Sequence, residues 1–421
     1  MKAALIGAGE ESLHMIEKAK ELGVFVTALD GNPAAPGLRA ADEGLAVDIS
    51  QEEAVLAALA ERKPDFVLTG PIGRYLTTAG AVNDALGLRG ISRKAAVACT
   101  DKYLFHQILS EQGLRAGHCW LIPALDDAKD GEKGEDRSER EPKEPARQGR
   151  LSYPAILKPR YGSGSRGIFF VESPMELALA MKALQHEEEE HKIPLEDYVL
   201  EEAAKGEEYG VDGAMDGKTF RLILLRRKLL TPPPARQAVG YFSVTGTMDR
   251  EEALLGRVQE YLERVTERMG LQDCLLHADL MISENNIFVI ELSARPSGHN
   301  LHNLFTPMAT GVDMAQQYIR SQCGMPYSYQ PLYRKKLLIR YFALPEGRID
   351  RVPKAEELRL PDSVSLRRWN CMLHPGESVG RVTTGHSVMG RGYFILEGES
   401  DEELEAAADG VLGEFVVKKL W

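Results

Sequence analysis

The chain has 421 residues, of which 43% are hydrophobic, and a formal net charge of −12. This length suffices for two or three domains with substantial cores, and the charge argues against nucleic acid or an anionic membrane as the main partner. Five cysteines are scattered without CxxC spacing, which is typical of reduced thiols in a cytoplasm. No stretch approaches the ~20 apolar residues of a membrane span, and the N-terminus turns acidic too early for a secretory signal. We therefore expect a soluble, cytoplasmic protein.

The first 98 residues alternate between strand and helix patterns. We predict a strand at 2–8, a helix ending near 22, a strand at 24–29, a helix at 51–62, a strand at 66–69 and a helix at 75–86. Such alternation predicts a parallel sheet flanked by helices.

The turn after the first strand, Gly7-Ala-Gly9, is followed by Asp30 near the end of the second strand. An acid about 20 residues after a glycine-rich turn often binds the ribose of a dinucleotide. The third glycine of that pattern is missing, however, because position 12 is serine. A tight turn in a Rossmann-like module is therefore favoured, and a nicotinamide oxidoreductase stays open as the alternative of another class.

Residues 126–150 hold sixteen charges in 25 positions and no large apolar side chain. Such a segment cannot bury enough apolar surface to offset its ordering entropy. We interpret it as a charged surface loop inserted before the strand that contains Lys158.

The segment 152–171 is predicted to be strand, glycine-rich loop and strand. Glycines 162, 164 and 167 allow the loop backbone to approach closely and direct its N–H groups at phosphate oxygens. Lys158, at the end of the first strand, adds a point charge for the same phosphates. No Gly-Lys-Ser/Thr and no helix follow the loop, so it is not a Walker loop.

Residues 272–298 show a β-hairpin pattern around the turn Ser-Glu-Asn-Asn at 283–286. If the loop centres near Asn285, Asp279 and Glu291 lie opposite each other, where side chains are about 5 Å apart. Two carboxylates at this distance favour a cation between them, and hard oxygen ligands suit Mg²⁺. The guanidinium of Arg295 follows and matches a phosphate or carboxylate.

Taken together and in order, these segments resemble the ATP-grasp superfamily of carboxylate–amine ligases. The motifs are Thr100-Asp101-Lys102, Lys158 with its glycine loop, Tyr198-Val-Leu-Glu201-Glu202, Gly206-Glu-Glu208-Tyr-Gly, Asp279 and Glu291-Leu-Ser293-Ala-Arg295-Pro-Ser-Gly. The resemblance covers essentially the whole chain. It implies an α/β fold, α+β overall: a Rossmann-like N-terminal domain (1–98), an ATP-grasp domain of two α+β lobes (99–333) and a small C-terminal α+β domain (334–421).

The resemblance also implies roles for individual residues, with ATP and Mg²⁺ (or Mn²⁺) as cofactors. The phosphates would be contacted by Lys102 and Lys158 and covered by a lid that contains Gly162, Ser163, Gly164, Ser165 and Gly167. The adenine would lie along Glu201 and Glu202, and the ribose hydroxyls would bind Glu208. The metal would be held by Asp279, Glu291 and Ser293. Arg295 faces the transferred phosphoryl group and the acyl substrate. Where the family usually has Asn, this chain has Ser293, a poorer neutral ligand, so a second metal ion is in question.

The implied reaction joins the carboxylate of a small molecule to an amine through an acyl phosphate. Residues 385–398 resemble the C-terminal domain of L-amino-acid ligases, which favours an amino acid as the acid. His299, ahead of His302, is the candidate general base. A biotin-carboxylase-like or purine-pathway ligase and a non-catalytic ATP-binding protein remain alternatives. We expect no nucleic-acid or membrane partner, and the family suggests a homodimer.

Overall fold

The structure is a computed structural model that describes residues 1–115, 117–122, 151–162, 167–191, 197–232, 236–382 and 386–419. The charged loop predicted at 126–150 and the lid residues Ser163, Gly164 and Ser165 lie outside the described residues. Among the described residues, no helix has the length and apolar character needed to cross a bilayer.

The N-terminal region forms a parallel sheet with the strand order β3-β2-β1-β4. Its elements are β1 (Lys2–Ile6), α1 (Leu13–Glu21), β2 (Phe25–Asp30), α2 (Pro36–Ala40), β3 (Glu43–Ala46), α3 (Glu52–Ala60), β4 (Phe66–Thr69), α4 (Leu76–Leu86) and α5 (Arg93–Thr100). The predicted alternation is confirmed. The sequence prediction lacked α2, β3 and α5. The strand β3 is short and only half-buried, so it has no continuous apolar run to reveal it.

A second, antiparallel sheet has the order β5-β8-β6-β7. Its elements are α6 (Lys102–Glu111), β5 (Cys119–Ile122), β6 (Ala155–Pro159), β7 (Phe169–Val171), α7 (Pro174–His191) and β8 (Tyr198–Glu202). Asp101 caps α6 by accepting hydrogen bonds from the backbone N–H groups of Tyr103 and Leu104, which fixes Lys102 at the first helical position. Lys158 lies on β6 and Glu201 on the neighbouring β8.

In the described residues, eight strands form the largest sheet, in the order β13-β12-β9-β10-β11-β14-β18-β16. The elements of this part of the chain are β9 (Glu207–Asp216), β10 (Thr219–Leu230), β11 (Ala238–Ser243), α8 (Asp249–Met269), β12 (Leu275–Ile282), β13 (Ile287–Ser293), α9 (Thr306–Thr310), α10 (Met314–Gln322), β14 (Leu337–Tyr341), β15 (Gly347–Arg351), β16 (Ser365–Cys371), β17 (Ser378–Val379), α11 (His386–Met389), β18 (Gly392–Glu397), α12 (Asp401–Gly413) and β19 (Val416–Lys418). The sheet continues across position 334, where we predicted a domain boundary, because β14 pairs with β11.

One of the apolar clusters that join the N-terminal region to the large sheet lies between α1, β12 and α10. Met15 of α1, Leu275 of β12 and Tyr318 of α10 belong to this cluster, and the Tyr318 hydroxyl lies 3.4 Å from the carbonyl oxygen of Val67. This packing brings the turn after β1 next to the segment that follows β13.

Candidate active site

Asp279 and Glu291 are cross-strand partners in the β12–β13 hairpin. A regular register continued from the turn at 283–286 would place Asp279 opposite Ile290. Instead, a bulge next to Asp279 leaves Ile290 as the extra residue and brings Glu291 opposite Asp279. The predicted pairing of the two carboxylates is therefore confirmed, but it depends on a bulge that the prediction did not contain.

One face of the large sheet carries the polar residues of the site. The strand registers place them in rows: Glu291, Asp279, Gly210 and Arg226 in one row, and Ser293, His277 and Asp212 in the next. Because side chains alternate along a strand, residues two positions apart share this face. The predicted metal residues Asp279, Glu291 and Ser293 thus lie on a single surface.

The Asp279 carboxylate lies in a polar but largely buried environment. Its Oδ2 atom is 2.7 Å from the Lys228 ammonium, and its Oδ1 atom is 3.6 Å from Nε2 of His277. Burial opposes ionisation, but Lys228, His277 and Arg226 together more than offset it, so the pKa of Asp279 is below its usual value. Oδ1 is buried and has no hydrogen-bond partner among the described residues. An ionised oxygen of this kind beside a second carboxylate fits a hard divalent cation.

Glu208, the predicted ribose ligand, lies beside the same group of charges. Its Oε2 atom is 3.7 Å from the Lys228 ammonium, and its Oε1 atom accepts a hydrogen bond of 2.9 Å from Arg236. Lys228 therefore lies between Glu208 and Asp279. From the sequence, Lys228, like Arg226, could contact phosphate or the substrate carboxylate, or belong to a solvated basic edge. Its pairing with Asp279 was not predicted, because its neighbours across the sheet are distant in sequence.

Five of the predicted site residues line one pocket next to β13. They are Lys102, Gly162, Glu291, Ser293 and Arg295. The Lys102 ammonium donates a hydrogen bond of 3.0 Å to the carbonyl oxygen of Gly162, so it lies at the base of the glycine loop. Arg74, from the turn after β4, also lines this pocket. Nothing in the local sequence distinguished Arg74.

Lys158 and Glu201 form a buried ion pair in the smaller sheet. The Lys158 ammonium is 2.7 Å from Oε2 of Glu201, and Arg115 donates a hydrogen bond of 2.8 Å to the same oxygen. Burial opposes ionisation of Glu201, but Arg115 and Lys158 lower its pKa to about 2. The second oxygen, Oε1, has no hydrogen-bond partner among the described residues, so it can accept a hydrogen bond from an adenine ring or an ordered water. Sequence reasoning missed Arg115.

Glu202, the other predicted adenine-edge residue, has both carboxylate oxygens engaged within the protein. One accepts a hydrogen bond of 2.9 Å from the backbone N–H of His118. The other accepts one of 2.5 Å from the Ser152 hydroxyl. Its carboxylate therefore connects β8 to neighbouring segments.

His106, Cys119 and Glu201 also have ligand atoms within 4.8 Å of one another. Two cations, Arg115 and Lys158, already compensate the only carboxylate of this group. A metal ion there would meet their repulsion, so we assign no metal to this cluster.

The segment after β13 makes a sharp turn beside Arg295. His299 and Asn300 both have left-handed backbone conformations, with φ values of 66° and 58°, which are costly for residues other than glycine. Two contacts stabilise the turn. The Glu11 carboxylate accepts a hydrogen bond of 3.0 Å from the N–H of Asn300, and the Tyr341 hydroxyl donates one of 2.7 Å to the carbonyl oxygen of His299.

The two candidate histidines differ in environment. His302 is buried, its Nδ1 atom is hydrogen-bonded to the carbonyl oxygen of Ser297, and burial lowers its pKa to about 4. The half-exposed ring of His299 lies edge-on to Tyr341 at 6.3 Å. The choice of His299 as the base stays a prediction.

Asp30, the acid in the dinucleotide interpretation, is used to close its own turn. Its two carboxylate oxygens accept backbone hydrogen bonds of 2.7 Å from Ala8 and 2.8 Å from Asn32. Ser12, at the position of the missing glycine, donates a hydrogen bond to the carbonyl oxygen of Gly7. These contacts support the interpretation of a tight structural turn.

Comparison with known proteins gives one family and several distant relatives. Residues 151–302 match the model of the ATP-grasp domain. Dapdiamide A synthase of Enterobacter agglomerans is 23% identical over 304 residues, covering 70% of this chain and 67% of that protein. The formate-dependent phosphoribosylglycinamide formyltransferase of Burkholderia pseudomallei is 22% identical and covers 90% of this chain and 91% of its own length. The crystal structure of L-amino acid ligase from Bacillus licheniformis superposes with a TM-score of 0.74 at 18% identity, covering 100% of this chain and 99% of that one.

Proposed function

We propose that this chain, whose residues 151–302 match the model of the ATP-grasp domain, is an ATP- and magnesium-dependent, ADP-forming ligase that joins the carboxylate of an amino acid to an amine. The observation that carries this proposal is the shared pocket of Lys102, Glu291 and Arg295, with Asp279 opposite Glu291. A paired acid set, a phosphate-binding cation and a guanidinium are the groups that acyl-phosphate formation requires.

The metal ligands and the phosphate-binding groups have distinct tasks in this proposal. Asp279, Glu291 and Ser293 would hold Mg²⁺, which neutralises the triphosphate. Lys102 would contact the phosphates together with the backbone of the glycine loop, whose residues 163–166 lie outside the described residues.

Arg295 supplies charge stabilisation where the phosphoryl group is transferred and where the amine attacks the acyl carbon. Its Nη1 group donates a hydrogen bond of 2.8 Å to the carbonyl oxygen of Pro296, which fixes the guanidinium beside the pocket. Its Nε atom is buried and has no acceptor among the described residues. Burial lowers the pKa of Arg295, while Glu291, Glu11 and Asp279 act in the opposite direction. Since arginine stays protonated, this side chain brings a poorly compensated positive charge to the pocket.

His299 is the candidate base for deprotonating the amine. It lies on the strained turn held by Glu11 and Tyr341, four residues after Arg295, so a substrate at Arg295 would lie near it. The likeness to L-amino acid ligase over the full chain supports an amino acid as the acid.

The direct test measures ADP and phosphate release over pairwise mixtures of amino acids, with mass spectrometry of the products. We expect release that depends on Mg²⁺ and on one acid–amine pair, and loss of release in Glu291→Gln. Similarity to a formate-dependent enzyme over 90% of the chain makes formate and bicarbonate the matched comparison acids. Release with either of these alone would replace the amino-acid assignment. Tight ATP binding without release from any mixture would indicate a non-catalytic ATP-binding protein.

A further inference from the structure

Gly210 lies between Asp279 and Arg226 in the row of residues that crosses the site. A Cβ atom at this position would lie 3.3 Å from Nη2 and 3.5 Å from Nε of Arg226, and 3.7 Å from Oδ1 of Asp279. All three of these polar atoms are buried and lack a hydrogen-bond partner among the described residues. Three unsatisfied polar atoms therefore surround one small space above the glycine.

The Arg226 guanidinium is held in place from its other side. Arg226 and Asp212 are both 0% exposed, and Nη1 of Arg226 is hydrogen-bonded to the Asp212 carboxylate. Thr306 donates a hydrogen bond of 2.5 Å to the same carboxylate oxygen, and the Tyr241 ring lies 5.8 Å from the guanidinium carbon. The remaining edge, Nε and Nη2, faces the space above Gly210. Leaving two such buried donors unsatisfied would destabilise the fold.

The chemistry of the three atoms defines what fits between them. The group must accept hydrogen bonds from the guanidinium of Arg226 and donate one to the carboxylate of Asp279. An ammonium cannot accept, and a second ionised carboxylate cannot donate. All three atoms lie 3.3–3.7 Å from the Cβ position, so a methyl group there would already contact all of them, and the group that joins them must be small. A water molecule, or a single hydroxyl, meets both conditions.

We propose that Arg226 is a positioning residue for the Asp279 carboxylate, to which it is coupled through one bridging oxygen held above Gly210. This inference rests on the proposed function, in which Asp279 binds the metal. Each carboxylate oxygen has two lone pairs, so Oδ1 can accept the bridging hydrogen bond and still coordinate the metal ion. Lys228 holds Oδ2, and the bridge fixes the rotation of the carboxylate at the other oxygen.

The consequence concerns metal affinity. Hydrogen-bonding partners behind a metal ligand orient it, and their loss typically weakens metal binding about 10- to 100-fold. In this proposal the glycine at position 210 is needed because a side chain would displace the bridge. Its backbone does not require glycine, since its φ is not positive.

The test is a matched pair of substitutions at one position. Gly210→Ala fills the space with a methyl group that cannot form hydrogen bonds, whereas Gly210→Ser places a hydroxyl near the bridging position. We measure Mn²⁺ binding to the purified full chain with ADP present, by electron paramagnetic resonance. Gly210→Ala and Arg226→Met should each weaken Mn²⁺ binding about 10-fold or more, and Gly210→Ser should stay near wild type. Gly256→Ala, at an exposed position of α8 with no atom near its Cβ, is the control for a glycine-to-alanine change.

Three outcomes decide against the inference. Equal weakening by Ala and Ser at position 210 would show that the Cβ alone is responsible. Unchanged Mn²⁺ binding in Gly210→Ala, with binding lost in Asp279→Asn, would remove the bridge. Absence of Mn²⁺ binding by the wild type would remove the metal site itself. By contrast, a wild type that binds Mn²⁺ but releases no ADP from any substrate mixture would refute only the proposed function, and the two Gly210 variants would still test the bridge. Thermal unfolding of each variant shows whether it has folded.

Discussion

The ammonium of Lys228 lies 2.7 Å from the carboxylate of Asp279, on the sheet face where the divalent cation would bind. It is also 3.7 Å from Glu208, so one lysine compensates two acids. The side chains of Lys228 and Asp279 are only 10% and 18% exposed. Without a metal ion, Lys228 is therefore the cation that contributes most to stabilising an ionised Asp279 in this environment.

Replacing Lys228 by Met should destabilise the metal-free protein and increase its dependence on Mg²⁺. Breaking a buried pair costs ~3–5 kcal/mol, and partial exposure reduces this to about 2 kcal/mol here. The free energy of unfolding, measured in urea with and without Mg²⁺, should show a larger gain from Mg²⁺ in the variant than in the wild type. An equal gain in the two proteins would mean that the metal does not replace Lys228 in compensating the charge of Asp279.

Replacing Arg295 by Ala should reduce turnover about 10²- to 10³-fold while changing ATP affinity much less. The reason is that, in the proposed function, Arg295 faces the group being transferred, whereas Lys102 contacts the nucleotide. The measurement pairs kcat for ADP release with the Kd of a non-hydrolysable ATP analogue. Arg221→Ala, on a half-exposed side chain of β10, is the control. Normal turnover in Arg295→Ala would exclude this residue from the mechanism.

Replacing Glu11 by Ala should destabilise the turn at His299 and Asn300. The half-buried N–H of Asn300 would lose its acceptor, at a cost of about 1–2 kcal/mol. Gln at position 11 keeps an acceptor oxygen, so its effect on the free energy of unfolding should be clearly smaller. Glu10, its exposed neighbour, gives the control variant Glu10→Ala. If Ala and Gln at position 11 behave alike, the hydrogen bond to Asn300 does not stabilise the turn.

The parts of the site that could be predicted from the sequence are those carried by local patterns. Alternating apolar residues around a four-residue turn predicted the β12–β13 hairpin, and hence Asp279 and Glu291 as partners. The bulge at Ile290 could not be predicted, because a bulge has no hydrophobic period of its own. The pairing of Asp279 with Glu291 was still predicted correctly, because the loop centre assumed from the sequence lay half a residue beyond the observed one, and the bulge makes up that difference.

Contacts between segments that are distant in the chain could not be predicted from the sequence. Arg115 meets Glu201 across 86 positions, and Lys228 meets Asp279 across the intervening strand β9. Arg115 and Lys228 are two of 51 basic residues in the chain, and only the folded arrangement of the elements shows which carboxylate each of them pairs with. Local periodicity reports which face of an element is buried, whereas the charge partner is chosen by the packing of elements that are far apart in the chain.

Replacing Glu201 by Gln should make the free energy of unfolding fall less steeply as the pH is lowered below 4.5. The folded-state pKa of Glu201 is about 2, against an ordinary value of 4.5. Because the folded pKa is lowered, its contribution to stability is fully present above pH 4.5 and is lost as the pH falls toward 2. At 1.36 kcal/mol per pH unit, this amounts to about 3 kcal/mol. Urea unfolding at a series of acidic pH values measures it. An equally steep decline in Glu201→Gln would assign the acid limb to other carboxylates.

Replacing Ser293 by Asn should tighten metal binding. Ser293 lies opposite His277, in the row next to Asp279 and Glu291, and it lines the pocket that contains Arg295. An amide carbonyl is a better neutral ligand for a hard cation than a hydroxyl. A gain of about 1 kcal/mol would lower the Mg²⁺ concentration for half-maximal ADP release roughly fivefold. Ser293→Ala, which removes the oxygen, should raise that concentration. If Asn and Ala both leave it unchanged, position 293 contributes no ligand, and the metal is held by the two carboxylates and the phosphates alone.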